Sequence, residues 1–114
     1  MASLPQEQIQ ALEILGHVYF LQGRPREARI VFNGLLALDE ANASALKHLA
    51  ALDLEEGQSG KALRLLDDYA RRAQEAPPAL WLMRAQALEQ SGRKDEARQT
   101  MAEYLARAAK PSTT

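Results

Sequence analysis

The chain has 114 residues and a mass of 12.6 kDa, one domain's worth or a short array of repeats, with no space for a catalytic domain beside a regulatory one. Its formal net charge of -1 argues against a nucleic-acid surface, which needs a basic excess. No long apolar run spans a membrane, residues 1–5 lack the basic and apolar regions of a secretory leader, and the absence of cysteine excludes a disulfide framework, a thiolate nucleophile and a cysteine-based zinc site. Alanine occurs 21 times and leucine 18 times, whereas isoleucine and valine together occur five times. Strong helix formers dominate and β-branched strand formers are scarce, so the fold is expected to be all-α.

Taken in chain order, six helices are predicted, over 6–22, 25–38, 43–56, 60–74, 78–91 and 94–109. Ser3 with Gln6 reads as a capping box for the first. Pro25 and Pro78 stand in first turns, where a missing N–H costs nothing. Asn42 is the cap expected for the third helix. Asn33-Gly34 resembles a hairpin turn, but the spacing of Ala28, Phe32, Leu35 and Leu36 keeps it inside the second helix. Residues 110–114 carry no periodicity and are expected to fray.

Self-comparison shows a repeat. Gly23, Gly57 and Gly92 are spaced 34 and 35 apart, and each is followed five residues later by alanine: Ala28, Ala62 and Ala97. A glycine that can turn left-handed ends one helix, and a small alanine lets the next pack closely against it. With Leu12, Leu15, Gly16, Tyr19 and Phe32 in the first unit and Trp81 in the third, this arrangement resembles the tetratricopeptide repeat (TPR), whose period is about 34. The expected architecture is a short right-handed solenoid of three such units. It divides into 1–8 as an N-terminal cap, repeats over 9–42, 43–77 and 78–109, and a disordered tail over 110–114.

No enzymatic constellation is present. His17 and His48 lie 31 apart, with His17 on the polar stripe of its helix. The glycines are isolated, so there is no phosphate loop. Glu55-Glu56 and Asp67-Asp68 are neighbours that diverge on a helix. No catalytic residue, metal or cofactor is therefore expected. What remains is binding along the first helices of the repeats, which line the concave face of a TPR solenoid. The positions expected there are Gln10, Glu13, His17, Phe20 and Leu21, then Lys47, Ala51 and Leu54, then Ala79, Leu82, Gln86 and Glu89. Phe20, Leu54 and Leu82 serve as apolar anchors. Only Lys47 among these is cationic, so the face suits an amphipathic segment better than a carboxylate terminus.

On a helical wheel Leu12, Leu15 and Tyr19 point toward the partner helix of the first unit. Ile14, Val18 and Leu21 point to the opposite flank, where a preceding repeat would sit, and this flank is expected to contact another chain. The last helix is expected to turn Ala97, Met101, Leu105 and Ala108 inward. Asp53 and Arg84 fall on arcs normally filled by apolar residues; either a buried or half-buried pair between them or each side chain snorkelling outward would account for both.

Several stretches carry a more specific likeness: Leu12-Glu13-Ile14-Leu15-Gly16 continuing to Leu21-Gln22-Gly23-Arg24, the run Gly34 to Asp39, and Leu80-Trp81-Leu82 with Arg84-Ala85-Gln86. Ser91-Gly92, Asp95-Glu96-Ala97-Arg98 and Tyr104-Leu105 complete it. Over about residues 12–108 these resemble the TPR-type chaperones of bacterial type III secretion, most closely the YscY (SctY) family. The resemblance implies a cytoplasmic chaperone that binds a small secreted protein, YscX (SctX), as a 1:1 pair. The pair would then engage the export gate (an SctV-like component). The apolar flank of the first helix, read from the residues and apart from the resemblance, would contact either that secreted partner or, when the partner is missing, a second copy as a homodimer. The alternatives are a chaperone of a needle or translocator subunit, or a TPR adaptor bridging subunits of another assembly.

Overall fold

A computed structural model of the chain describes residues 5–72 and 77–109. Within them lie six α-helices and no strand: α1 (Gln6–Leu21), α2 (Pro25–Leu38), α3 (Ala43–Glu55), α4 (Ser59–Arg72), α5 (Pro78–Gln90) and α6 (Lys94–Ala109). Helices pair as α1–α2, α3–α4 and α5–α6. Each pair packs on the next, with the first helices stacking as α1 on α3 and α3 on α5. Among the described residues, helix contacts run between neighbouring pairs, as in a solenoid.

The three turn glycines close the first helix of each pair in the same way. Gly23, Gly57 and Gly92 have φ of 69°, 74° and 81°, a left-handed conformation that costs other residues about 1 kcal/mol or more. The amide of the residue after each glycine then reaches back to a helical carbonyl: Arg24 to Tyr19, Gln58 to Asp53 and Arg93 to Leu88, at 3.0, 2.7 and 2.9 Å. The glycine amides donate as well, to the carbonyls of Phe20, Leu54 and Glu89, and this double closure satisfies carbonyls the helix end would otherwise leave orphaned. Ala28, Ala62 and Ala97 are buried where the second helix meets the first.

Most start signals act as expected. Pro25 and Pro78 open α2 and α5, and Gly34 lies inside α2. The Asn42 side chain accepts the Ala45 amide at 2.8 Å to cap α3. The first cap differs: α1 begins after Pro5 with no side-chain capping bond, and Ser3 lies outside the described residues, as do the expected end of the fourth helix and residues 110–114.

The interior divides at α3. One cluster joins the first and second units through Ala28, Phe32, Leu35, Ala45, Leu49 and Leu52. The other joins the second and third through Leu46, Ala50, Ala62, Leu66, Leu80 and Leu88. Leu36 and Leu65 touch both. At the C-terminal end the inward residues are Ala97 and Thr100, buried, with Met101 and Tyr104 half-buried. Leu105 and Ala108, expected to face inward, are exposed.

Asp53 and Arg84 do not pair with each other. Asp53 is buried and accepts from Arg29 Nη2 of α2 at 2.9 Å, while Arg84 pairs with Asp67 of α4. Each charge found its partner on the second helix of a pair, not on the adjacent first helix.

Candidate functional site

The expected groove residues lie on α1, α3 and α5 in graded exposure. Gln10, His17, Leu21, Lys47, Ala79, Gln86 and Glu89 are exposed, and Glu13, Phe20, Ala51, Leu54 and Leu82 are half-buried. Two of the three expected anchors also serve the interior. Phe20 packs against the cluster of the first two units and Leu54 against that of the last two. Leu54 is held further by Gln90, whose Nε2 donates to its carbonyl oxygen at 3.1 Å across the α3–α5 junction. Glu13 is tied down as well, accepting from Asn42 Nδ2 at 2.9 Å. The amide that caps α3 thus also fixes α1.

The fold joins the two histidines, which the sequence places one repeat apart. His17 Nδ1 lies 2.9 Å from His48 Nε2, and His48 Nδ1 lies 2.7 Å from the Ser44 carbonyl oxygen. A carbonyl oxygen only accepts, so His48 Nδ1 carries its proton, its Nε2 offers a lone pair, and His17 Nδ1 donates. The His48 ring stacks on Phe32 at 4.4 Å and meets Phe20 edge-on at 5.2 Å. Burial lowers the His48 pKa below its ordinary value; the Ser44 carbonyl pulls it back up, and Lys47 and His17 push it further down. No acidic side chain contributes to that shift, and the nearest carboxylate along α1, Glu13, is bonded to Asn42.

This pair has a pH consequence. His48 binds its proton less readily in the folded chain than in the unfolded one, so its contribution to stability is complete above about pH 6.5 and is lost as pH falls below it. The melting temperature should therefore drop between pH 7 and 5, before the carboxylates titrate. In His48→Met, which places the residue of the matching α5 position, Met83, on α3, that drop should largely vanish. An unchanged slope would assign the pH response to other groups.

Of the flank residues, Ile14, Val18 and Leu21 are 65%, 40% and 69% exposed. Leu15 joins them at 40% exposed, and does not face α2 as the wheel implied. Gln86 and Glu89 edge a hollow of about 460 Å³ over α5 and α6, floored by Ala85, Ala97 and Met101. A larger cleft of about 1010 Å³ runs between α2, α3, α4 and α5 and contains none of the expected groove residues. Leu49, Leu65 and Trp81 form part of its walls, and the Arg29–Asp53 and Arg84–Asp67 pairs stand in it. The two oddly placed charges of the sequence were its only advance signal.

Among the described residues no group of three or more His, Cys, Asp or Glu side chains is placed to hold a metal ion. No described helix is long and apolar enough to cross a membrane.

The tetratricopeptide repeat family model matches residues 9–42 and 78–111, together more than half of the chain. The chain belongs to the tetratricopeptide repeat family. Comparison with curated proteins finds no match. Among solved structures, this TPR chain is similar to the type III secretion translocator chaperone SycD of Yersinia enterocolitica, with a TM-score of 0.84 and 21% identity over 95% of this chain and 80% of that one. A second SycD structure, an alternative dimer, gives a TM-score of 0.80 and 24% identity over 94% and 81%. PcrH in complex with the chaperone binding region of PopB gives 0.85 and 24% over 98% and 90%. At these identities the likeness establishes the fold.

Proposed function

We propose that this TPR protein is a chaperone of a bacterial type III secretion system, working in the cytoplasm and holding a secreted protein by an amphipathic segment laid along α1, α3 and α5. The observation that carries the reading is the graded exposure of that face. Half-buried Phe20, Ala51, Leu54 and Leu82 form an apolar floor, and exposed Gln10, His17, Lys47, Gln86 and Glu89 surround it. Such a face takes one apolar stripe of a bound segment and leaves its polar side in water. The similarity in fold to SycD and to PcrH bound to a PopB region supports the same class of role. The likeness to the YscY family refines the partner to a small SctX-like secreted protein, bound 1:1 and delivered to an SctV-like export gate, with the repeats dividing at 9–42, 43–77 and 78–109.

Leu82 provides the cleanest test, because it is half-buried and belongs to neither core cluster. Leu82→Asp should leave helicity by circular dichroism near wild type. It should weaken capture of a co-expressed SctX-like protein by about tenfold or more, since an unpaired carboxylate against apolar surface costs over 1.4 kcal/mol. Full binding by this variant would exclude the α5 part of the face. Co-expression with a translocator segment in parallel decides the partner class: capture of the translocator alone would replace the SctX-like assignment.

A further inference from the structure

The repeat gives an internal standard for what each end of the solenoid leaves uncovered. In the register set by the turn glycines, Ala11, Ile14, Leu15 and Val18 of α1 correspond to Ala45, His48, Leu49 and Leu52 of α3. The α3 set is buried throughout, because it sits on the first pair of helices. The α1 set is exposed throughout. An apolar stacking face is therefore present on α1, and among the described residues nothing covers it.

The opposite end carries the matching seat. In the first junction His48 lies on Phe32, against Phe20 and His17. The residues in register with His17, Phe20 and Phe32 are Gln86, Glu89 and Met101, and these, with Ala85 and Ala97, line the 460 Å³ hollow on α5 and α6. Ala85 and Ala97 stand where Gly16 and Ala28 stand in the first pair. The hollow is thus the seat of a next first helix, and the side chain its register calls for is that of α1 position 14, an isoleucine.

We propose that a second copy of this chain seats its α1 face on the α5–α6 hollow of the first, continuing the solenoid from copy to copy. The interface repeats the two junctions already inside the chain, and both of its halves are carried on one sequence. It is heterologous, so each copy keeps one open face of each kind and association does not stop at a dimer. It meets the segment-binding face proposed above at Gln86 and Glu89, whereas Ile14 and Met101 belong to the end-to-end contact alone.

Sedimentation of the full chain over a range of concentrations tests this. The average mass of wild type should rise with concentration and pass that of a dimer. Ile14→Glu, at an exposed position, disables the inserting face; Met101→Glu, or Gln86→Trp where the first is poorly helical, disables the seat, Gln86→Trp being read by self-association alone because Gln86 also edges the concave face. Each variant alone should associate about tenfold or more weakly, since each leaves a charge or a bulky ring in the contact. An equimolar mixture of an inserting-face variant with a seat variant should recover association and stop at a 1:1 dimer, because one intact face of each kind remains. Wild type that stays monomeric overturns the proposal. So does a wild-type dimer that persists undiminished in both seat variants, the mark of an α1-to-α1 contact.

Discussion

Phe32→Ala is expected to lower the unfolding free energy by about 3–5 kcal/mol, and the melting temperature by roughly 10–25 °C in a chain of this size. Phe32 is fully buried, with its ring under His48 at 4.4 Å on one side. On another side lies Gly16, buried on α1, where an added Cβ would stand 2.6 to 2.9 Å from three ring atoms. Helix backbone therefore bounds the site, and a cavity left by the ring has little means of closing. The complementary change is Gly16→Ala. Helix propensity favours alanine by about 1 kcal/mol, but the ring cannot retreat because His48 lies behind it. Overpacking of this kind costs about 1–3 kcal/mol, so a net loss is expected. Pairing Gly16→Ala with Phe32→Leu should recover part of it, since contacting residues couple. Urea unfolding followed by circular dichroism reads all three; a stabilised Gly16→Ala would show that α1 and α2 are free to separate.

The sequence was most legible where one residue type answers one backbone demand. The three glycines take positive φ, Asn42 caps α3, and Pro25 and Pro78 open helices, because each requirement is local. A wheel drawn for one helix cannot say which neighbour covers which arc. The spacing of Leu15 alone points it toward α2, whereas its matching residue Leu49 faces the preceding pair. The apolar period that points Leu105 and Ala108 inward is covered by no following repeat among the described residues, and both are exposed. The pairing of His17 with His48 was hidden by 31 intervening residues, yet His48 stands where Ile14 and Met83 stand. A histidine in an apolar register position was the signal. The same register would have shown Asp53 between Tyr19 and Leu88, and so needing a partner of its own.

Asp53 carries the last prediction. Its side chain is 5% exposed, and Arg29 Nη2, on a side chain 28% exposed, bonds it and Glu56 at 2.9 Å each. The two partners are not equivalent. Removing the cation in Arg29→Met leaves a buried carboxylate with no opposite charge, a change that costs about 3–5 kcal/mol for a fully buried pair. Arg29 is partly solvated, so water screens some of that interaction, and about 2–3 kcal/mol is expected here. Removing the anion in Asp53→Leu is milder. Arg29 keeps Glu56 and its access to water, and leucine is the residue of the matching α5 position, Leu88, which is buried there. A loss of about 1 kcal/mol or less is expected. The double replacement should return close to wild type or exceed it, because a well-packed apolar pair avoids the desolvation that the ion pair must overcome. The coupling between the two sites, read from denaturant unfolding of all four proteins, should reach about 1 kcal/mol or more. Additive losses would instead show that Asp53 is held by water or backbone, with Arg29 a bystander at the cleft wall.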